Sequence, residues 1–200
     1  MIKERYGTGK EMSSSVRKEV LLMGGKEIIK YSYREVLQGD YKWPIFVAST
    51  SQGLSMLKIG ELEGLKEKLF SWVKRWVPEG EVLFECDRFH EDVYAQLEEY
   101  FAGKRQEFTL PLDDRGTDFQ KRVWEELRKI PYGTTCSYGD IAEKIGNPKG
   151  PRAVGLANNR NPIAIITPCH RVVGKSGSLV GYASGLDHKE RLLKLEGVNF

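Results

Sequence analysis

The residues best suited to chemistry lie in the stretch Pro168-Cys169-His170-Arg171, which follows the apolar run Ile163-Ala164-Ile165-Ile166. Cysteine is a nucleophile only as its thiolate, so a reactive cysteine needs a neighbouring base or positive charge. His170 and Arg171 are neighbours of these two kinds. The opposing interpretation is that Cys169 is a small buried apolar residue beside a histidine that is there by chance. These four residues alone leave both interpretations open.

The composition is that of a folded globular protein, with 40% hydrophobic and 30% charged residues in a chain of 200. The sequence contains no apolar run long enough to cross a bilayer and no recognisable secretory signal. We therefore expect no membrane association and a cytoplasmic location, or a nuclear one in a eukaryotic cell. The three cysteines, at positions 86, 136 and 169, cannot all pair, so we expect free thiols in a reducing compartment.

Positive charge is concentrated in the part of the chain that carries Cys169. Residues 137–200 hold nine Lys or Arg against five Asp or Glu, an excess of four, whereas the whole chain carries +3. A basic surface there would suit an anionic partner such as nucleic acid. A solvated helical surface is the alternative for an excess this small.

The first half of the chain reads as a small sheet with helices. We expect a mobile or loosely docked segment over residues 1–25. The patterns that follow predict strands at 26–33, 45–50 and 54–59, a helix at 62–76, a helix at 87–102, and a strand or connector at 108–112. Cys86 and His90 lie four residues apart, but two ligands without a second pair do not make a zinc site. We predict no metal site and interpret both residues as structural.

The second half begins after a polar linker at residues 113–116 with a capping box, in which Thr117 and Gln120 satisfy each other's backbone N–H groups. Ser137 is the predicted first cap of a short helix that ends at a turn over residues 146–150. Pro151 suits the first position of the next helix, which carries Arg152 on its first turn. Two short helices joined by a glycine-containing turn are typical of a helix-turn-helix.

The last helix, predicted over residues 186–196, ends in an acid. Glu196 opposes the helix dipole at that end, so it is either solvated or held by a partner. His170 is the partner of interest.

Together these residues resemble the O6-alkylguanine-DNA alkyltransferase family, also called methylated-DNA–protein-cysteine methyltransferases. The resemblance covers nearly all of residues 113–197. It rests on the motifs Gly116-Thr117-Asp118-Phe119-Gln120, Val123-Trp124, Ile130-Pro131-Tyr132-Gly133, Ser137-Tyr138, Arg152-Ala153-Val154-Gly155, Asn161-Pro162, Pro168-Cys169-His170-Arg171-Val172, Gly181-Tyr182, Leu192-Leu193 and Glu196. Before residue 113 it is weaker and rests on Tyr100-Phe101-Ala102-Gly103-Lys104-Arg105.

The resemblance implies a role for each residue of the acceptor site. Cys169 would accept the alkyl group, and His170 would take the thiol proton through a water molecule. Glu196 would orient that histidine, as the acid does in a hydrolase triad. Asn161 would brace the turn beneath the thiol.

It also implies a set of DNA and substrate contacts. Tyr138 would bond the base and help displace the phosphate of its nucleotide. Arg152 would fill the gap left in the duplex when the base flips out. Tyr182 would donate to the charge that develops on O6. The remaining residues expected to bind substrate or DNA are Val172, Ala183, Ser184 and Lys189.

The fold implied is α+β, with a small ribonuclease H-like sheet-plus-helix domain followed by a mainly α domain with a helix-turn-helix. The boundaries expected are 1–40 for an N-terminal extension of unknown role, 41–112 for the α/β domain and 113–200 for the DNA-binding and alkyl-acceptor domain. The function implied is direct-reversal DNA repair. An alkyl group moves irreversibly, once per protein molecule, from O6 of guanine and from O4 of thymine to Cys169. The resemblance implies no cofactor, and a monomer that binds double-stranded DNA through its minor groove.

Two other functions remain open on the residues. A non-catalytic module that recognises alkylated DNA would share Tyr138 and Arg152 but would need no competent thiol. A Cys–His hydrolase would turn over repeatedly on a small ester or peptide, and nothing upstream of Cys169 resembles an oxyanion site for it.

Overall fold

The computed structural model describes the backbone of residues 4–6 and all of residues 25–199. The segment predicted to be mobile, residues 1–25, lies outside this range except for Glu4–Tyr6 and residue 25. Contacts divide the described chain into two compact units. The first holds the residues up to Leu97 together with Leu110–Asp113, and the second holds Glu98–Thr109 together with the residues from Asp114 onward.

The first unit is a mixed sheet with helices. Its elements are β1 (Glu4–Tyr6), β2 (Ile28–Gln38), β3 (Tyr41–Thr50), β4 (Gly53–Ile59), α1 (Leu62–Trp76), β5 (Glu81–Phe84) and α2 (Arg88–Phe101), whose last turn belongs to the second unit. The strands lie in the order β1-β5-β2-β3-β4. Strand β3 is antiparallel to both β2 and β4, whereas β5 runs parallel to both β1 and β2. Residues 28–38, which the boundary at residue 40 placed in the N-terminal extension, thus form a strand of this sheet.

Strand β3 is buried on both of its faces, which explains its unbroken apolar run. Phe46 and Ala48 belong to the cluster that packs with α1. The alternate residues include Ser49, whose hydroxyl bonds to His90 of α2. Since successive strand residues point to opposite faces, helices cover both sides of this strand.

His90 is the polar centre of the first unit. Its side chain is fully buried, with Nδ1 2.8 Å from the Ser32 hydroxyl and Nε2 2.8 Å from the Ser49 hydroxyl. Because hydroxyls both donate and accept, a neutral imidazole is satisfied at both nitrogens. Burial lowers the pKa of His90 to about 4. This histidine therefore has the structural role that the sequence indicated.

We expect the free energy of unfolding to fall by about 2 kcal/mol between pH 7 and pH 5 because of His90. Its pKa is depressed in the folded state, so the stabilisation is present above the unfolded value of 6.5 and is lost as the pH falls toward 4. Denaturant unfolding at both pH values measures this difference. His90→Gln should flatten this dependence, and a pH dependence in His90→Gln as steep as in the unchanged protein would contradict the assignment.

The second unit is mainly helical. Its further elements are α3 (Asp118–Arg128), β6 (Cys136–Ser137), α4 (Tyr138–Lys144), α5 (Pro151–Asn159), a 3-10 turn (Cys169–Arg171), β7 (Val172–Val173) and α6 (Leu186–Leu195). Strands β6 and β7 pair in parallel, Cys136 with Val172 and Ser137 with Val173. No helix in the described part of the chain has the length and apolar character needed to span a membrane.

The local signals in this unit act as expected. Both capping boxes form: Thr117 with Gln120 at the start of α3, and Ser137 with Asp140 at the start of α4. Pro151 occupies the first turn of α5. The helix-turn-helix is therefore α4, the turn at residues 145–150, and α5. The core beneath it includes apolar residues of α3, α4 and α5, and it extends to Cys169 and Val172.

Candidate active site

Cys169 is the first residue of the 3-10 turn, and β7 follows that turn directly. Its side chain is buried, only 6% exposed, and it packs in the core cluster of the second unit. Its backbone carbonyl accepts from Val172 N–H and from the Asn158 amide at 3.5 Å. None of the described cysteines is in a disulfide. The thiol is therefore reduced, and hydrogen bonds to the Cys169 carbonyl hold the backbone of this residue in place.

The turn before Cys169 is held by Asn161. Its amide Nδ2 donates to the carbonyls of Thr167 at 2.8 Å and Ile163 at 3.3 Å, and its Oδ1 accepts from Ile163 N–H at 3.0 Å. Inside this turn Ile165 has a φ of 69°, a left-handed conformation that costs a β-branched residue free energy. The hydrogen bonds of Asn161 hold the turn in this conformation. The sequence predicted such a brace at this residue.

His170 and Glu196 are paired, as the position of an acid at the end of α6 indicated. His170 Nε2 is 2.9 Å from Glu196 Oε1, and both side chains are fully buried. An ionised carboxylate only accepts hydrogen bonds, so Nε2 must carry the proton and Nδ1 the lone pair. Nδ1 is buried and makes no hydrogen bond to any described residue. The imidazole therefore offers an unoccupied basic nitrogen on the residue that directly follows Cys169.

Glu196 is also bound by residues that the sequence did not connect to it. Arg171 donates to it through Nε and Nη2, each at 2.9 Å, and Tyr100 donates its hydroxyl at 2.7 Å. Arg171 also donates to the Ile130 carbonyl at 2.6 Å. The sequence offered Arg171 as a positive neighbour for Cys169, and the structure instead makes it the counter-ion of Glu196.

These contacts fix the charge state of the pair. Burial acts to raise the pKa of Glu196, but hydrogen bonds and charges from His170 and Arg171 outweigh it and lower the pKa to about 2. Burial lowers the pKa of His170, and this outweighs the opposing effect of Glu196. At neutral pH the site therefore holds a carboxylate, a guanidinium and a neutral imidazole.

A loop over residues 180–185 forms another wall of the site. Tyr182 packs against the cluster that contains Cys169, and its hydroxyl is buried without a partner among the described residues. Tyr138 donates to the carbonyls of Val180 at 3.3 Å or Gly181 at 3.4 Å. In the same loop Ala183 is exposed and Ser184 is partly buried. Two predicted substrate residues, Tyr138 and Tyr182, thus lie at the same loop.

Lys189 was predicted to bind substrate or DNA, which would suggest an exposed charge, but the structure buries it. Its side chain is buried and its ammonium donates to the carbonyls of Val172 at 2.5 Å and Val180 at 2.8 Å. Burial lowers the pKa of Lys189 to about 8. Lys189 therefore joins β7 to the loop instead of presenting its charge on a surface.

Arg152 lies apart from this buried group, exposed on the first turn of α5, which carries no acidic residue. Leu156 is exposed one turn later, with 63% of its surface accessible. Gly155 faces the Tyr138 ring, since a Cβ there would lie 3.7 Å from the ring atoms. One face of α5 is therefore open to solvent and basic at its start.

The site divides into residues that the sequence located and residues that it missed. Those brought together in the buried site are Cys169, His170, Glu196, Asn161, Val172, Tyr182 and Lys189, while Arg152, Ala183 and part of Tyr138 lie toward solvent. The sequence did not predict that Arg171 is the counter-ion of Glu196 or that Tyr100 donates a hydrogen bond to it. In the sequence Tyr100 appeared only within a motif shared with the family and without a role, because neither the motif nor helical periodicity shows where a hydroxyl points.

Comparisons with known proteins agree along most of the chain. The sequence model of the 6-O-methylguanine DNA methyltransferase ribonuclease-like domain matches residues 33–113, and that of the DNA binding domain matches residues 118–198. The chain is 56% identical over 142 residues to a methylated-DNA–protein-cysteine methyltransferase of Methanosarcina acetivorans, covering 71% of this chain and 91% of the relative. It is 55% identical over 121 residues to the enzyme of that name from Mycobacterium leprae, covering 60% of this chain and 69% of the relative.

Solved structures give the same result. The chain is similar to Mycobacterium tuberculosis OGT in complex with DNA, with 42% identity and a TM-score of 0.66, covering 84% of this chain and 92% of that one. It is also similar to the O6-methylguanine-DNA methyltransferase of Pyrococcus kodakaraensis, with 28% identity and a TM-score of 0.63, covering 84% of this chain and 99% of that one. The α+β fold and the length of these matches leave one assignment: the chain belongs to the methylated-DNA–protein-cysteine methyltransferase family.

Proposed function

We propose that this protein repairs alkylated DNA by direct reversal, moving an alkyl group from O6 of guanine, and from O4 of thymine, to Cys169. The observation that carries the proposal is the buried hydrogen bond between Glu196 and His170, the residue that follows Cys169 in the chain. The carboxylate holds the Nε2–H of His170, so the free Nδ1 is the base for the thiol, acting through one water molecule. A buried base that can accept the proton of a reduced cysteine is what the formation of a thiolate requires.

The transfer is a displacement at the alkyl carbon. The thiol proton passes to His170, the Cys169 sulfur forms a bond to carbon, and the bond from carbon to O6 breaks with its electrons left on the base. The Tyr182 hydroxyl, buried and without a described partner, is available to donate to O6 as charge develops there. The guanine regains one proton, equal to the one that left Cys169. The thioether product has no good leaving group, so each protein molecule acts once and needs no cofactor.

The remaining residues position the DNA. Residues 113–200 form the DNA-binding and alkyl-acceptor domain, and α5 enters the minor groove with Arg152 filling the place of the flipped base. The small residues Ala153 and Gly155 allow α5 to approach the duplex closely. Tyr138 bonds the flipped base, while the backbone of Val172 and the loop at Ala183 and Ser184 line its pocket. Lys189 supports that pocket through its two carbonyl contacts.

We infer that the protein works as a monomer in a compartment that holds DNA and keeps thiols reduced. That compartment is the cytoplasm, or the nucleus in a eukaryotic cell.

The test is incubation with a duplex that carries O6-methylguanine with a radiolabelled methyl group. We expect one label per protein molecule, on the peptide that contains Cys169, and no further transfer when fresh duplex is added. Tight binding with all label left on the DNA would instead indicate a module that only recognises damage. Repeated turnover on small esters would indicate a hydrolase.

A further inference from the structure

Glu196 accepts more hydrogen bonds than the orientation of one histidine requires. Its Oε1 accepts from His170 at 2.9 Å, from Arg171 Nη2 at 2.9 Å and from Tyr100 at 2.7 Å. Its Oε2 accepts from Arg171 Nε at 2.9 Å and from Gly133 N–H at 3.3 Å. Two carboxylate oxygens offer about four lone-pair sites, so the group is saturated.

The three donors to Oε1 compete for one oxygen. Each donor draws negative charge toward itself and leaves less to stabilise a proton on His170. Arg171 already balances the charge of Glu196, so the buried pair is neutral without His170. Tyr100 adds the shortest of the three bonds without adding charge. An imidazolium at His170 would then be favoured only if a negative charge forms beside it, as on Cys169.

Its surroundings keep Tyr100 in place as a hydrogen-bond donor to Glu196. Its side chain is fully buried near the end of α2, and burial followed by the charge of Glu196 raises its pKa well above 10. Its ring packs 5.5 Å from the ring of Phe108 and 6.1 Å from that of Tyr132, measured between centroids. The hydroxyl therefore stays protonated and directed at Glu196 over the whole working range of pH.

We propose that Tyr100 is a positioning residue for the transfer: its bond to Glu196 Oε1 limits how readily His170 takes a proton and keeps Cys169 a thiol until damaged DNA is bound. This inference rests on the proposed function, in which Cys169 is the acceptor. The charged groups that act on His170 are Glu196, Arg171 and Lys189. The titratable groups that interact with Glu196 in turn are Tyr100, Tyr132 and Tyr182, and Tyr182 also interacts with Cys169. Of the two side chains that donate to Glu196 besides His170, Tyr100 can be removed without changing the formal charge of the site, whereas Arg171 cannot.

The test is a pH titration of His170 by NMR in protein with isotope-labelled histidine. The chain has three histidines, so their signals are separable. In Tyr100→Phe the midpoint of His170 should rise by about one pH unit, since one hydrogen bond to a charged acceptor is lost. Alkylation of Cys169 by iodoacetamide without DNA should become up to about tenfold faster near neutral pH, because one pH unit is a factor of ten in protonation.

Two further variants make the result specific. Tyr132→Phe removes a nearby hydroxyl that bonds to the Leu195 carbonyl, and it should leave both measurements unchanged. Placing 3-fluorotyrosine at position 100 strengthens the donor and should lower the His170 midpoint, which keeps the test valid if Tyr100→Phe does not fold. An unchanged or lower midpoint in a folded Tyr100→Phe protein, an unchanged iodoacetamide rate, or an equal shift in Tyr132→Phe would overturn the proposal. Because neither measurement uses DNA, a failure here is distinguishable from a failure of label transfer to Cys169.

Discussion

Replacing Cys169 with Ala is expected to abolish transfer of a radiolabelled methyl group from O6-methylguanine in duplex DNA to the protein. The other two described cysteines are poor nucleophiles at neutral pH. Burial raises the pKa of Cys86 above its usual value and that of Cys136 to about 11, so both thiolates are scarce. Gel electrophoresis of the denatured protein measures the label, and fluorescence anisotropy measures binding of the same duplex, which should persist.

The other two cysteines supply matched controls for this experiment. Cys136→Ala and Cys86→Ala should each take up the same label per molecule as the unchanged protein. Cys136 is the stricter control, because it lies in β6, paired with the strand that follows Cys169. Label on the Cys169→Ala protein, or its loss in Cys136→Ala, would show that the acceptor has been misassigned.

Glu196→Gln is expected to slow the transfer by about 100-fold or more at neutral pH, the range for loss of general base catalysis. An amide cannot both accept from His170 and satisfy the two donors of Arg171, so His170 loses the fixed orientation that leaves Nδ1 basic. Single-turnover rates with excess protein measure this effect. The pKa of Glu196 is about 2, so the carboxylate itself does not titrate in the normal assay range.

The same change should also weaken the fold, and the two effects can be separated. Arg171 would be left as a buried charge without its counter-ion, which costs about 3–5 kcal/mol in comparable cases. Rates are therefore compared at a temperature where thermal melting shows the variant to be folded. Glu190→Gln, on the exposed side of α6 where it pairs with Lys194, is the matched control and should retain the full rate. A folded Glu196→Gln protein with an unchanged rate would remove Glu196 from the mechanism.

The sequence predicted best those features that depend on near neighbours. The capping box at Thr117 and the helix cap at Ser137 are confirmed, because each bond joins residues only three positions apart. The pairing of Glu196 with His170 could be expected because an acid at a helix C-terminus calls for a partner. The brace at Asn161 was implied by the family resemblance, and its amide bonds span only six residues.

Features that depend on distant partners were not predictable in this way. Strand β5 has four residues and gains its bonds from β1 and β2, so no period marks it in the sequence. The bond from Tyr100 to Glu196 joins residues 96 positions apart. Lys189 was expected to bind substrate or DNA, and nothing in the sequence indicated that its ammonium bonds to the carbonyls of Val172 and Val180. In each case the missing information is which segments meet in space.

The position of Tyr100 has a consequence for how such proteins can be recombined. The polar linker near residues 113–116 is the natural place to exchange N-terminal parts between relatives. Residues 98–109, however, belong with the second unit, and Tyr100 reaches the same oxygen as His170. A chimaera joined at the linker inherits a foreign tyrosine or none, whereas one joined before Glu98 keeps the whole acceptor network from one parent. The segment that must be exchanged as one piece therefore begins at Glu98, about fifteen residues before the linker.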